Sequence, residues 1–118
     1  MNRAALTIFV WGIYVIGVGL GFLFIPNVIL PLFGLPTTTE VWIHLTGLLA
    51  AIFGAYYIVC ARNNLVPLFR ATVPGRLVFA AGIGAFVLLD MAGPSLLLFG
   101  LLEIAGGLWT WWALRASS

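Results

Sequence analysis

The sequence predicts an all-α membrane protein, a polytopic four-helix bundle with both termini on the cytoplasmic side. Three observations carry this prediction: an excess of apolar residues, four apolar runs of spanning length, and the placement of the arginines. Hydrophobic residues make up 64% of the 118-residue chain and charged residues only 7%, against about 25% charged residues in soluble domains. So few charges cannot cover a water-facing surface, which indicates one domain, residues 1–118, surrounded by lipid.

Four apolar runs are long enough to cross the hydrocarbon layer, which takes about 20 helical residues. They cover about residues 4–25, 41–61, 74–92 and 95–114. Pro74 suits the first turn of the third helix, where its missing N–H is no loss. Thr37 and Glu40 have the spacing of a capping box before the second helix. The short Gly93-Pro94 link predicts an antiparallel hairpin of the last two helices.

Two connections are expected to be short interfacial segments. Residues 26–36 are too few to span a membrane and too apolar for water, which predicts a short helix that ends at Gly34. Between the second and third runs, apolar residues share helical spacing beside two arginines, which predicts a second, amphipathic segment. Its residues are Arg62, Leu65, Leu68, Phe69 and Arg70.

The arginines predict the orientation of the bundle. With four crossings, all five lie on one side, whereas the other side has Glu40, Asp90 at its edge and no basic residue. Cytoplasmic loops of membrane proteins carry the excess of basic residues, so both termini are expected in the cytoplasm. The five are Arg3, Arg62, Arg70, Arg76 and Arg115.

Small residues predict how the helices meet, because close packing and hydrogen bonds drive helix association in lipid. Gly17 and Gly21 form a GxxxG pair, which we expect to serve packing within the chain. Trp11 lies deeper than the other tryptophans and is a candidate to line a cavity. The predicted inward faces are Tyr14, Gly17 and Gly21 on the first helix, His44, Gly47, Ala51 and Gly54 on the second, and Gly100, Glu103 and Gly107 on the fourth.

Glu103 is the central candidate for a functional site. An ionised carboxylate in mid-membrane costs roughly 3 kcal/mol, so it is expected to be protonated unless a cation or water reaches it. It is either a hydrogen-bond donor across the bundle or a proton carrier, ligand counter-ion or catalytic acid. Tyr14 lies at similar depth, and His44, about one turn into the second span, can extend the same polar line. These three form the predicted polar site.

The other ionisable residues have secondary predictions. Asp90 is expected to cap the start of the fourth helix. Arg70 and Arg76 are expected to meet lipid phosphates, or alternatively the anionic headgroup of a substrate. With one His and one Cys in the chain, no metal or cofactor is predicted. The singly spaced arginines lack the basic stripe of a nucleic-acid-binding protein.

Several short stretches carry a family resemblance. Leu23-Phe24-Ile25-Pro26 leads to Leu32-Phe33-Gly34, and Tyr56-Tyr57 leads to Ala61-Arg62. Phe69-Arg70-Ala71-Thr72-Val73 precedes Gly75-Arg76, and Leu108-Trp109-Thr110 precedes Ala113-Leu114-Arg115. Over most of the chain, they resemble the small bacterial four-span proteins grouped as DoxX-like or BphX-like. The resemblance implies a four-span topology in a bacterial inner membrane. Some of those proteins are linked to redox or aromatic-degradation systems, but the resemblance implies little about activity and transfers no catalytic residue.

Three classes of function are open on the sequence. The first, favoured by the small size and short loops, is a non-enzymatic accessory or scaffold component, as a homo-oligomer or with a partner membrane protein. The second is a carrier for a proton-coupled or lipophilic small molecule, with Glu103 as the titrating site. The third is a lipid- or quinone-directed membrane enzyme, which requires Glu103, His44 and Tyr14 to converge on one cavity. Of these three classes, an enzyme is the one that the sequence favours least.

Overall fold

The structure, a computed structural model, describes residues 2–91 and 93–117. Within these ranges, four helices are long and apolar enough to cross a membrane, as the sequence predicts. A four-residue helix and a 3₁₀ turn follow the first of them. The helices are α1 (Arg3–Phe24), α2 (Pro26–Ile29), α3 (Val41–Arg62), α4 (Val66–Leu88) and α5 (Leu97–Ser117).

The four long helices form two antiparallel pairs. The closest packing joins α1 to α3, and the next closest joins α4 to α5. The pairs meet mainly where α1 contacts α5, whereas α3 and α4 hardly touch within the described residues. A cleft is therefore left between α3 and α4, with α1 and α5 behind it.

Glycines bring α1 and α3 into backbone contact. A Cβ on Gly19 would lie 2.6 Å from the Gly47 carbonyl oxygen, and one on Gly12 would lie 2.8 Å from that of Gly54. The prediction for α3 names the contacting glycines, but the GxxxG prediction for α1 is wrong at Gly17, which faces open space. Gly12 and Gly19 are seven residues apart on α1, which is the spacing of successive contacts in a coiled-coil-like crossing.

Left-handed residues end three helical segments. Asn64 (φ 50°) and Asp90 (φ 58°) follow α3 and α4, and Gly34 (φ 71°) follows the 3₁₀ turn Leu30–Phe33. After α4, the Asp90 N–H donates to the Val87 carbonyl at 3.1 Å, and the next N–H donates to the Phe86 carbonyl at 2.9 Å. This is the Schellman pattern, and it satisfies carbonyls at the helix end. The predicted end at Gly34 is confirmed.

Two predicted caps do not form. The 3₁₀ turn before α5 begins after Gly93 without a side-chain cap, and Asp90 instead closes α4 through its own backbone. At the start of α3, Glu40 itself is the N-cap, and it too makes no side-chain capping bond. The Thr38 hydroxyl accepts from the Glu40 N–H at 3.1 Å. Thr38 therefore bonds to the backbone just before α3, and the predicted capping box of Thr37 and Glu40 does not form.

The third long helix begins earlier than predicted. Pro74 lies inside α4, which starts at Val66 and takes in the stretch expected to be a separate amphipathic segment. A proline in a helix interior removes one backbone hydrogen bond, and neighbouring helices can accommodate it in a membrane bundle. The predicted end of this span at residue 92 lies outside the described residues.

Four helix ends meet at one end of the bundle. The Asn2 side chain, which caps α1, donates to the Asn64 side chain beyond α3 at 3.1 Å. Arg3 lies over the Trp112 ring of α5 at 5.7 Å. A buried apolar cluster fills this end: Ala4, Ala5, Ile8, Ala61, Phe69 and Ala113. The exposed arginines 3, 62, 70 and 115 therefore belong to this end.

Candidate functional site

A cavity of about 590 Å³ occupies the cleft between α3 and α4. All four long helices line it, and each does so with one face. The wall from α3 is built by Thr46, Ala50, Phe53 and Tyr57, and the wall from α4 by Leu68, Thr72, Gly75 and Phe79. Because α3 and α4 hardly touch, the cavity opens sideways between them. Its walls are mostly apolar.

Four ionisable side chains line this cavity: Tyr14, Tyr57, Arg76 and Glu103. Glu103 lies close enough to the other three for its charge, when it is ionised, to influence them. The register of α1 against α5 explains why Tyr14 and Glu103 come together. Thr7 pairs with Thr110, and the same antiparallel register places Tyr14 opposite Glu103. The two predicted site residues therefore lie on facing helices and line the same cavity.

Arg76 is the most buried of these groups, with 4% of its surface exposed. Its guanidinium carbon lies 4.5 Å from the centroid of the Trp11 ring, in a cation–π contact. Its Nη1 donates to the Thr110 hydroxyl at 3.1 Å. Nε and Nη2 are buried and have no hydrogen-bond partner among the described residues. The prediction that Arg76 meets lipid phosphates is wrong, because α4 begins ten residues before it and carries it into the bundle.

Two threonines hold the guanidinium in place. The Thr7 hydroxyl donates to the Ala4 carbonyl at 2.7 Å, so its oxygen accepts from the Thr110 hydroxyl, 2.8 Å away. Thr110 in turn accepts from Arg76. Each of the two buried hydroxyl groups therefore donates one hydrogen bond and accepts one. The network links α1, α4 and α5 at one point.

Gly106 makes room for the ring that Arg76 stacks on. A Cβ at this position would lie 2.6 Å from Cζ3 of Trp11 and 3.3 Å from Nη1 of Arg76. The Trp11 ring also packs on Tyr14, with 4.8 Å between ring centroids. The absence of a side chain on Gly106 therefore leaves room for the Trp11 ring to stack against Arg76.

His44 takes no part in this cavity. Its Nδ1 lies 2.7 Å from the Leu23 carbonyl oxygen. A carbonyl can only accept, so Nδ1 carries the proton and donates. Leu23 belongs to the last turn of α1, where carbonyls lack helical partners. His44 thus closes the end of α1, and the predicted convergence of Glu103, Tyr14 and His44 does not form.

The remaining predicted site residues lie elsewhere. Asp90 is exposed in the link after α4, and Arg70 lines a separate groove with Arg115. Sequence reasoning missed Tyr57, whose helical spacing from Thr46 is the one signal that places it on the cavity face. Among the described residues, no three His, Cys, Asp or Glu side chains lie close enough together to hold a metal ion.

Comparison with known proteins adds no assignment. No family model matches the chain, and no curated protein and no solved structure matches it. The argument for function therefore depends on the cavity.

Proposed function

We propose that this protein binds a small lipophilic molecule, one end of which accepts hydrogen bonds, in the cavity between α3 and α4. The observation that carries the proposal is an apolar, sideways-open cavity that Tyr14, Tyr57, Arg76 and Glu103 line together. Ligand sites are mostly apolar, with a few polar groups that fix orientation. This deepens the predicted carrier alternative, in which Glu103 is the ionisable site for a lipophilic substrate.

The shape of the cavity suits a ligand that arrives from the membrane. Its volume of about 590 Å³ falls in the range of roughly 300–1,000 Å³ that is typical of small-molecule sites. The opening lies between two helices that are long and apolar enough to span a bilayer. A lipophile can therefore enter from the hydrocarbon layer without crossing water. Phe53 and Phe79 offer apolar contacts to its hydrophobic part on either side.

Arg76 supports a hydrogen-bond-accepting head group. Nε and Nη2 form the edge of the guanidinium that binds two acceptor atoms side by side. Leaving a buried donor unpaired costs about 1–3 kcal/mol, so an acceptor at this edge would be favourable. Both atoms are enclosed by protein, on a side chain that lines the cavity. Glu103 then neutralises the arginine or donates to the ligand, according to its protonation.

The wider setting is also proposed. We infer a bacterial inner membrane and cytoplasmic termini, supported by the four exposed arginines at the end where both termini lie. We also propose that the chain is related to the DoxX-like proteins. An accessory role, with a partner membrane protein or as a homo-oligomer, stays a prediction and is compatible with ligand binding. An enzyme built on Glu103, Tyr14 and His44 is not proposed, because the three residues do not converge.

Two glycines of α4 provide a test. A Cβ on Gly75 or on Gly82 meets no atom within 4 Å, but only Gly75 lines the cavity. We expect Gly75→Phe to fill the cavity and Gly82→Phe to leave it open. Each variant and the parent protein would be purified in mild detergent, extracted with organic solvent and analysed by mass spectrometry. A defined lipophile in the parent and in Gly82→Phe, but not in Gly75→Phe, supports the proposal. The same lipophile in equal amount from Gly75→Phe contradicts it.

A further inference from the structure

A second groove lies between α4 and α5, near the end of the bundle that holds the exposed arginines. Its volume is about 340 Å³. Three residues of α4 face three residues of α5 across it. They are Arg70, Val73 and Pro74 on one side and Trp111, Leu114 and Arg115 on the other.

Pro74 shapes the α4 side of this groove. It lies inside the helix, where it has no N–H to donate to the Arg70 carbonyl four residues earlier. A proline ring at this position also crowds that carbonyl. The groove therefore lies where one helical hydrogen bond of α4 is missing. The carbonyl that lacks this bond belongs to Arg70.

The two arginines approach the groove from different helices. Arg70 is exposed near the start of α4, and Arg115 lies in the last turn of α5. The Arg115 guanidinium stacks on the Trp111 ring, with 4.8 Å between its central carbon and the ring centroid. Stacking on tryptophan limits the directions that this guanidinium can take. Arginine and tryptophan near the end of a spanning helix are typical of the level of lipid headgroups.

We propose that this groove binds the phosphate group of an anionic phospholipid through Arg70 and Arg115. Arginine pairs with phosphate through parallel N–H donors, and two guanidinium groups from different helices can hold one phosphate between them. Val73, Trp111 and Leu114 line the same groove, so the glycerol and the upper acyl chain cover apolar surface that a free phosphate would leave exposed. The proposal is independent of the lipophile in the cavity between α3 and α4.

The test is native mass spectrometry of the whole chain in mild detergent, with phosphatidylglycerol and phosphatidylcholine of matched acyl chains added in turn. We expect phosphatidylglycerol to bind in a one-to-one ratio and more tightly than phosphatidylcholine. The double variant Arg70→Gln/Arg115→Gln should weaken phosphatidylglycerol binding by about tenfold or more, as expected for losing charged hydrogen bonds. Arg3→Gln/Arg62→Gln is the matched control, because it removes the same charge outside the groove and should bind like the parent.

A variant that fills the groove tests the shape of the site separately from its charges. Val73→Phe keeps both arginines and should lower phosphatidylglycerol binding to a similar extent, with intact folding checked by circular dichroism. Equal losses in both arginine double variants would indicate diffuse attraction and overturn the site. Displacement of the lipid by an equal concentration of inorganic phosphate would overturn the lipid assignment. Normal binding by both Val73→Phe and Arg70→Gln/Arg115→Gln would overturn the proposal as a whole.

Discussion

A guanidinium in the middle of a spanning helix has to find its partners within the protein, because hydrocarbon offers none. Arg76 finds an aromatic face in Trp11 and a hydroxyl acceptor in Thr110. The aromatic contact is possible only because Gly106 carries no side chain. The centre of the bundle is therefore stabilised by three uncharged residues around the Arg76 guanidinium: Trp11, Thr110 and Gly106.

Thr110→Val should destabilise the protein by about 1–3 kcal/mol, because it leaves Arg76 Nη1 and the Thr7 oxygen without their hydrogen bonds in a buried place. Thermal unfolding followed by tryptophan fluorescence would measure the loss. Thr46→Val is the control, since among the described residues the solvent-accessible Thr46 hydroxyl donates only to the Trp42 carbonyl of its own helix. Equal destabilisation by both variants would contradict the role given to the buried network.

Gly106→Ala should destabilise the protein by about 1–3 kcal/mol, the usual range for overpacking. The added methyl group would lie 2.6 Å from the Trp11 ring, which would have to shift away from Arg76. Gly84→Ala is the matched control in α4, because its methyl group meets no atom within 4 Å. There the better helix propensity of alanine should be neutral or slightly stabilising. A stable Gly106→Ala variant, measured in the same unfolding assay, would show that the Trp11 ring is free to move.

At the scale of helices, two kinds of contact organise the bundle. Glycines join α1 to α3 through their backbones, whereas side chains join α1 to α5 through the threonine network. The second contact leaves α3 and α4 apart and so creates the cavity. Because the α1–α3 contact is made between backbones, a side chain added at one of its glycines should lower the stability of the bundle.

Gly19→Ala should be more damaging than Gly17→Ala, although Gly17 belongs to the GxxxG pair. The Gly19 methyl group would lie 2.5 Å from the Ala51 nitrogen and 2.6 Å from the Gly47 oxygen, and backbone atoms cannot move aside without separating the helices. We expect a loss of about 1–3 kcal/mol for Gly19→Ala. Gly17→Ala should have no destabilising effect in the same unfolding assay, since nothing lies within 4 Å. The reverse order would mean that α1 packs on α3 through the face that contains Gly17.

For the whole molecule, the exposed arginines predict which side of the membrane each end faces. Burial of Arg76 leaves four arginines at one end, and the opposite connection, around Thr39 and Glu40, has no basic residue. The bias is therefore preserved without Arg76.

In a Cys60→Ser background, Thr39→Cys and Ala116→Cys should label on opposite sides of the membrane. Both positions are exposed and lie near opposite ends of the bundle. A membrane-impermeant maleimide should label Thr39→Cys in intact cells and Ala116→Cys only after the membrane is opened, as shown by a mass shift of the purified chain. Labelling of Ala116→Cys alone in intact cells would reverse the proposed orientation.

Local chemistry predicted part of the candidate site. Glu103 and Tyr14 were found because a polar side chain within an apolar run is conspicuous, and both line the cavity. The sequence predicts His44 on the glycine face of α3, but that face packs on α1 and not on the cavity, and His44 bonds to the Leu23 carbonyl. Arg76 was assigned to the interface because Pro74 suggested a helix start, and a continuous α4 carries it inward instead. Gly106 and Thr110 have no signal in a single sequence, since their roles exist only against Trp11 and Arg76.

By itself, the sequence determined that the chain is helical, that four of its helices suit a membrane, and that Glu103 lies within one of them. These properties follow from composition and from runs of residues that are neighbours along the chain. Only the tertiary structure decided which helices touch, where the cavity opens and which polar groups meet there. In lipid the helices have no hydrophobic force to sort their faces. Pairing therefore depends on the fit of particular small residues and hydrogen bonds between distant parts of the chain.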